Sequence, residues 1–235
     1  MQDFFETFRE KLRADGFAGL RAGLIGRDAQ VDGPFGPVRL LYADWVASGR
    51  ALAQVEDAVR DHVLPFYANS HTEASHCGMA MTRLREAARA VALAHVGGGT
   101  DCHAIFTGSG ATAGIARVVS LLDLPARVRA GARVVVIHGP YEHHSNLLPW
   151  RESGAEVIEV AEAPRGGVDM AALDAALDAA DRAETIVGAF SACSNVTGIL
   201  TDVEAVTRRL KARGALAVWD YAGGGPYLPI RMAPA

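Results

Sequence analysis

Residues 101–112 have the sequence DCHAIFTGSGAT, and this stretch predicts how the second half of the chain folds. The apolar run Ala104–Phe106 is typical of a short buried strand, and a turn rich in glycine and small hydroxyl residues follows it. A helical pattern begins at Ala113. A strand, a glycine turn and a helix start together form an anion cradle, because free backbone N–H groups and the positive end of the helix dipole point into the turn.

The turn offers both kinds of donor that a phosphate group needs. Gly108 and Gly110 permit a close backbone approach, and Ser109 and Thr112 carry hydroxyl groups that can donate hydrogen bonds. We therefore predict that a phosphate is bound by Ser109, Gly110, Ala111 and Thr112.

The composition indicates a globular chain. The 235 residues are 50% hydrophobic and 21% charged, which is enough apolar material for one large domain. The net charge is −4 and no basic block occurs, so we expect no nucleic-acid partner. We expect no membrane association, because no apolar run is long enough to span a bilayer and the amphipathic N-terminus does not resemble a signal peptide. The three cysteines include no CxxC pair, which favours a reduced, cytoplasmic location.

Short apolar segments alternate with helical patterns from residue 102 onward. The predicted strands are 104–106, 133–137, 156–160, 185–190 and 215–219, and a helical pattern follows each of the first four. Because the strands are apolar almost throughout, we predict an α/β fold with a mostly parallel, mixed sheet and helices on both faces. Residues 1–40 are predicted to form an N-terminal helix and loop, and residues 41–235 the main domain.

Polar residues follow three of these strands, at the carboxyl edge where the sites of such sheets lie. The segment HGPYEHHSN (138–146) follows the second strand, SACSNVTG (191–198) the fourth, and DYAGGGP (220–226) the fifth. One edge of the sheet would therefore collect the phosphate cradle, an imidazole, a carboxamide and a carboxylate.

These groups together match a ligand with a phosphate, a flat ring and a ring nitrogen, and pyridoxal phosphate (PLP) has all three. Asp220 would face the pyridine nitrogen and keep it protonated, because an adjacent carboxylate favours the cationic form. A protonated ring is an electron sink that stabilises a carbanion. His143 would stack on the ring and exchange protons, and Asn195 would donate to the phenolic oxygen.

Several motifs resemble the class V aminotransferase superfamily of fold-type I PLP enzymes, which includes the cysteine desulfurases. The similar stretches, in chain order, are LLYADWVAS (40–48), YANSHTEAS (67–75), FTGSGAT (106–112), EHHSNLLPW (142–150), SNVTG (194–198) and VWDYAG (218–223). They resemble the family's YLDNAAT motif, its asparagine- and histidine-bearing loop, its FTSGAT phosphate turn, and its EHHANIVPW, SNVTG and VDGAQ segments. The matches run from about residue 40 to the end, in the family's order.

The resemblance implies a PLP-dependent enzyme that acts on an amino acid, as an aminotransferase or in the manner of a cysteine desulfurase. It makes residues 41–235 an incomplete PLP-binding large domain and His143 the ring-stacking, catalytic residue. Asn195 and Asp220 become ligands of the ring. It also implies a homodimer in which the 67–75 loop lies near the active site.

The chain departs from the family pattern at three places. Ala113 replaces the acidic residue that usually follows the phosphate-turn threonine, and Gly223 replaces a glutamine near the phenolic oxygen. Trp45 and Val46 stand where small residues are usual. We therefore expect a divergent subfamily with a changed substrate pocket.

The cofactor-binding lysine of the family has no counterpart in this sequence. These enzymes hold PLP as a Schiff base on a lysine in an S-x-H-K-type turn, which follows the ring-binding aspartate. The only lysines are Lys11, in the N-terminal helix, and Lys211, on the helix before the Asp220 strand. We expect an N-terminal fragment of a longer enzyme that is inactive alone.

Three other interpretations stay open on the sequence alone. The pattern Gly108-x-Gly110-x-x-Ala113 fits a nicotinamide-binding Rossmann domain, although the next strand is followed by His138 in place of the usual acidic residue. A metal hydrolase would use four polar residues after that strand: His138, Glu142, His143 and His144. Their spacing is neither HExxH nor HxxEH, so we predict no metal site. A degenerate, non-catalytic PLP fold would also lack the lysine.

Overall fold

The computed structural model describes residues 2–70 and 73–232, with side chains from residue 4 onward. The chain divides into two compact units. The first runs to Phe106 and includes the segment from Pro229 onward, and the second is Thr107–Leu228. This division by contacts differs from the boundary after residue 40, which rests on sequence motifs and stays a prediction.

Within the described residues, the first unit contains three helical elements, the first of which is kinked at Gly16, and one β-hairpin. Its elements are α1 (Gln2–Ala22), β1 (Gln30–Gly33), β2 (Gly36–Arg39), α2 (Ala53–Ala58) and α3 (His76–His95). A π-helical turn, Val59–Val63, and a 3-10 turn, Leu64–Phe66, continue α2. None of the described helices in either unit is long and apolar enough to cross a membrane.

The hairpin lies within residues 1–40, the region predicted to form an N-terminal helix and loop, although a brief strand is predicted at 38–42, which overlaps β2. Strands β1 and β2 pair antiparallel, with Gly33 opposite Gly36. Gly36 has a φ of 112°, a value that glycine adopts without strain, and this allows the chain to reverse sharply. The glycine and proline of this stretch therefore form a tight turn between two short strands.

The second unit is built, among the described residues, on a four-stranded sheet. Its strands are β3 (Val134–His138), β4 (Glu156–Glu159), β5 (Thr185–Ser191) and β6 (Leu216–Asp220), in the order β4–β3–β5–β6. Its helices are α4 (Gly110–Leu121), α5 (Leu124–Arg129), α6 (Leu148–Glu152), α7 (Met170–Ala179) and α8 (Val203–Ala212). All neighbouring strands are parallel, which confirms the predicted α/β fold.

Helices cover both faces of this sheet, as predicted. The core on one face joins β3 and β5 to α7 and α8 and contains Val135, Ile137, Phe190, Leu173, Leu177 and Leu210. The core on the other face joins the same strands to α4, α5 and α6 and contains Val134, Val136, Ala189, Ile115, Leu124 and Trp150. Successive strand residues point to opposite faces, so each continuous apolar run supplies two cores at once.

The predicted strand Ala104–Phe106 is not formed, and this prediction was wrong. The segment has no regular secondary structure, and Ile105 and Phe106 are 56% and 55% exposed. An apolar run becomes a strand only beside a neighbour that takes its backbone hydrogen bonds, and among the described residues this segment pairs with no strand. The glycine turn therefore enters α4 from an irregular segment.

The register of the sheet aligns the carboxyl ends of its strands. His138, the last residue of β3, lies opposite Ala189, and Ser191, the last residue of β5, lies opposite Asp220, the last residue of β6. Neighbouring strands are about 4.8 Å apart, so the ends of β3 and β6 are roughly 10 Å apart along this edge. Side chains that follow these three strands are therefore neighbours.

Candidate functional site

The N-terminus of α4 is open to an anion. Gly110 begins this 12-residue helix with a φ of 67°, which only glycine adopts easily. Ser109 occupies the cap position, but its side chain makes no capping hydrogen bond. Ser109, Gly110 and Thr112 are exposed. Among the described residues, the first backbone N–H groups of α4 therefore have no side-chain acceptor and can donate to a ligand in the turn.

Ser145 joins this turn to His143. The hydroxyl oxygen of Ser145 lies 2.7 Å from Oγ1 of Thr112 and 3.0 Å from Nδ1 of His143, and the Ser145 N–H donates to the same Nδ1 at 3.2 Å. Because a backbone N–H can only donate, we assign Nδ1 as an acceptor and place the proton of the neutral imidazole on Nε2. The exposed His143 ring is thus fixed beside the predicted phosphate turn.

Glu142 fastens the loop after β3 to the end of β5. Its Oε1 accepts from the Ser191 N–H at 2.8 Å, and its Oε2 accepts from the Ser191 hydroxyl at 2.7 Å and from Nδ2 of Asn146 at 2.6 Å. Oδ1 of Asn146 accepts from Nε1 of Trp150 at 3.0 Å, and both of these residues are fully buried. The segment that carries His143 is therefore tied to a core strand and to the core itself.

Opposing effects act on the pKa of this carboxylate, and burial is the largest of them. Burial raises the pKa of Glu142 above its ordinary value. Hydrogen bonds from Ser191 and Asn146 favour the ionised form and oppose the shift. Sequence reasoning considered Glu142 only as a metal ligand and missed this anchoring role. The signal was the four-residue spacing of Glu142, Asn146 and Trp150 along the segment that leads into and through α6.

Asp220 ends β6 with a buried carboxylate. The residue is 8% exposed, and its Oδ1 accepts a hydrogen bond from the Ala222 N–H at 2.8 Å. Within the part of the chain that the structure describes, Oδ2 makes no hydrogen bond. This oxygen is available to a ligand at the edge of the sheet.

Asn195 lies in the exposed turn after β5. The Ser194 hydroxyl oxygen accepts from the N–H groups of Val196 and Thr197, at 3.3 and 3.1 Å, and fixes the turn. A Cβ placed on Gly223 would lie 3.4 Å from the Cβ of Asn195. The Asn195 turn and the segment after Asp220 are therefore in contact, and the missing side chain at Gly223 leaves room beside Asn195.

The structure brings the predicted site residues together through a chain of contacts. Thr112 contacts Ser145, and Ser145 contacts His143. Glu142, the residue before His143, accepts a hydrogen bond from Ser191, which pairs with Asp220 in the sheet. Asn195 joins this group through Gly223. All of these residues lie in the second unit. Their roles in binding stay predictions.

His138 is placed differently from the other polar residues of this edge. Its ring is 2% exposed, its Nδ1 lies 3.0 Å from the Gly139 carbonyl oxygen, and its Nε2 is buried without a partner among the described residues. Over the described ranges, no three His, Cys, Asp or Glu side chains are grouped so that they could hold a metal ion. Of the 67–75 loop, His71 and Thr72 lie outside the described residues.

The fold and this edge define an α/β protein with a candidate phosphate-binding turn. The family model described as aminotransferase class V matches residues 41–234. The chain therefore belongs to the class V aminotransferase family, which confirms the resemblance of its motifs and argues against the Rossmann alternative.

Similar proteins include several cysteine desulfurases. A probable cysteine desulfurase of Streptomyces coelicolor is 27% identical over 198 residues, which cover 82% of this chain and 46% of that protein. Probable cysteine desulfurase 2 of Mycobacterium leprae is 30% identical over 201 residues, which cover 83% and 46%. The structure of cysteine desulfurase CsdA from Escherichia coli is similar in fold, with a TM-score of 0.67 and 24% identity over 90% of this chain and 50% of that one. The chain spans about half the length of the curated relatives that it matches.

The anchoring role of Glu142 predicts a pH-dependent effect of Glu142→Gln. The amide nitrogen would replace an acceptor oxygen and leave Nδ2 of Asn146 unpaired, so we expect a loss of about 1–3 kcal/mol in unfolding free energy in acid. The raised pKa means that the folded state holds the proton more tightly, so the wild-type advantage is fully present below about pH 4.5. It should shrink as the pH rises through the folded-state pKa.

Urea unfolding of the wild type and of Glu142→Gln across a pH series measures the difference in their unfolding free energies. Ser191→Ala is the matched control, because it removes one donor but keeps the titrating carboxylate. The unfolding free energy of this variant should therefore still depend on pH in the way that the wild type's does. A wild-type advantage that is constant, or that grows as the pH rises, would contradict the assignment.

Proposed function

We propose that this chain is the cofactor-binding part of a PLP-dependent enzyme that acts on an amino acid, by transamination or in the manner of a cysteine desulfurase. One observation carries the proposal: an uncapped helix N-terminus and a buried carboxylate lie at the same edge of one sheet, linked through Ser145, Glu142 and Ser191. The phosphate and the pyridine nitrogen of PLP are at different ends of one flat molecule, so one ligand can use both groups.

The residues of the turn fit the phosphate end of this cofactor. The N–H groups of Gly110, Ala111 and Thr112 and the hydroxyl groups of Ser109 and Thr112 are suitable donors for a dianion. Because the Thr112 hydroxyl is already hydrogen-bonded to Ser145, its oxygen is held in place before a ligand binds. Ala113 contributes no acidic group to this turn, so nothing there repels a phosphate.

Asp220 fits the pyridine end. The Ala222 N–H holds one carboxylate oxygen and leaves the other for the ring nitrogen, whose protonated form a nearby negative charge favours. When bound, PLP supplies the electron sink that stabilises a carbanion at the substrate carbon. The side-chain amide of Asn195 would donate to the phenolic oxygen, with room provided by Gly223.

His143 would lie against the ring face as a donor. Ser145 holds Nδ1 as an acceptor, so Nε2–H is the group that His143 presents. A neutral imidazole can take up a proton only at its unprotonated nitrogen, and here that is Nδ1. We infer that His143 exchanges protons with a substrate only when Nδ1 is released from the Ser145 N–H.

The relatives support the substrate class. Those named above are described as cysteine desulfurases, which are amino-acid enzymes, and the chain belongs to the class V aminotransferase family. An amino-acid substrate is therefore part of the proposal. The homodimer that places the 67–75 loop near the site is also part of it, and rests on the resemblance of the motifs alone.

Neither lysine of the chain is suited to hold the cofactor covalently. Lys211 is exposed near the end of α8, which leads into the amino end of β6. Asp220 is at the other end of that strand, roughly 13 Å further along at 3.3 Å per residue. Lys11 belongs to the first unit, where it lines a groove with Asp57 and Asp61. We infer that this chain binds PLP but does not turn over substrate by itself.

PLP binding to the 235-residue chain tests the proposed site. We expect PLP to bind at least tenfold more tightly than pyridoxal, which lacks the phosphate, because charge-assisted hydrogen bonds contribute about 1.5–3 kcal/mol. Asp220→Asn should weaken PLP binding by a similar factor, whereas Asp181→Asn, an exposed control, should not. Equilibrium dialysis measures all four affinities. Equal affinity for PLP and pyridoxal, or full affinity in Asp220→Asn, would rule the site out.

Borohydride reduction followed by peptide mapping tests the inference about lysine. After incubation with PLP, we expect no stoichiometric attachment at either lysine, because Lys211 lies at the opposite end of β6 from Asp220 and Lys11 belongs to the other compact unit. The fraction of each lysine peptide that carries the cofactor is read by mass spectrometry. Saturable, stoichiometric labelling of either lysine would show that the chain supplies its own attachment point.

A further inference from the structure

A pocket lined by four arginines lies in the first unit, between the end of α1 and the segment after β2. Its volume is about 500 Å3, within the roughly 300–1,000 Å3 range of small-molecule sites. We call it the arginine pocket, after the four arginines that line it together with two aromatic rings: Arg21, Arg27, Arg39, Arg50, Tyr42 and Trp45.

The Arg50 guanidinium is held rigidly in this pocket. Its Nη2 donates to the Ile25 carbonyl at 3.0 Å, and its Cζ lies 4.8 Å from the centre of the Tyr42 ring. A Cβ on Gly26 would lie 2.1 Å from Nη2, so the backbone passes directly against the guanidinium. Trp45 packs edge-on against Tyr42, with ring centres 5.6 Å apart. A cation, two rings and a close backbone are therefore preorganised around one space.

The charge of the pocket is only partly compensated. Arg39 donates from Nε and Nη2 to the Arg27 carbonyl, at 3.3 and 3.2 Å, and both arginines pair with Asp28. Over the described ranges, Arg21 and Arg50 form no ion pair. Two of the four guanidinium groups thus share one carboxylate, and the other two have no ion-pair partner among the described residues. Like charges this close repel each other, and a bound anion would relieve that repulsion.

We propose that the arginine pocket binds a small organic anion whose carboxylate or phosphate group lies beside a planar apolar body. Guanidinium groups bind both anions through paired hydrogen bonds, and they do so best where they are held in advance. The rings of Tyr42 and Trp45 offer flat apolar surface for the rest of the ligand. This site is formed within the first unit and does not depend on the proposed PLP site.

Isothermal titration with four simple probes tests this proposal on the 235-residue chain. Benzoate and phenyl phosphate carry an anion and a ring, benzamide carries the ring without charge, and inorganic phosphate carries charge without the ring. We expect at least one of the two aromatic anions to bind at least tenfold more tightly than benzamide and than inorganic phosphate. The tighter of the two aromatic anions identifies whether a carboxylate or a phosphate is preferred.

Variants at Arg50 connect the binding to the pocket. Arg50→Gln should weaken binding of the preferred aromatic anion at least tenfold. Arg50→Lys should weaken this binding less, because lysine keeps the charge but lacks the planar fork of the guanidinium group. Arg83→Gln, which removes an exposed arginine from α3, should stay within twofold of wild type. Circular dichroism and thermal unfolding identify variants that do not fold. If Arg50→Gln does not fold, the binding measured for Arg50→Lys is the test.

Three results would overturn the proposal. The first is no binding of either aromatic anion at millimolar concentration. The second is binding of benzamide, or of inorganic phosphate, that is as tight as binding of the aromatic anions. Equal binding of benzamide would show that the charge is not needed, and equal binding of inorganic phosphate would show that the ring is not needed. The third is unchanged binding in both Arg50 variants, which would place the anion elsewhere on the chain.

Discussion

The carboxylate of Glu142 is the interaction on which the candidate site depends. It accepts three hydrogen bonds, two from Ser191 at the end of β5 and one from Asn146, which is itself bonded to the buried Trp150. Because His143 is the next residue, its backbone position is set by these bonds rather than by contacts of its own ring. A partly buried carboxylate whose pKa is raised by desolvation is stable here only while its donors are present.

Parallel pairing then determines which groups share an edge. In a parallel sheet every strand ends on the same side, and the helix that follows each strand begins near that side. Ser191 and Asp220 are paired residues at that edge, and Ser145 links the loop after β3 to the start of α4. An anion cradle and a buried carboxylate therefore belong to one continuous hydrogen-bonded structure, although neither touches the other directly. This arrangement suits an elongated ligand with different chemistry at its two ends.

The sequence predicts most of the sheet and much of the candidate site, for physical reasons that also explain its failures. Runs such as Val134–Ile137 are apolar throughout and can lie only in a core covered on both faces, and the structure buries them. Ala104–Phe106 has the same local pattern, but strand formation needs a partner, which no local pattern supplies. Glu142 was missed because its three donors come from two separate segments. The arginine pocket was missed because its residues come from three separate stretches, 21–27, 39–45 and residue 50.

Backbone amide NMR during a PLP titration tests the central claim most directly, because it observes both ends of the ligand in one experiment. The N–H groups of Gly110, Ala111 and Thr112 report on the phosphate turn, and the Ala222 N–H, which is bonded to Asp220, reports on the carboxylate. If one molecule is held at both ends, these resonances shift together and saturate at one PLP concentration. Shifts confined to one of the two groups, or saturation of the groups at different concentrations, would contradict the account.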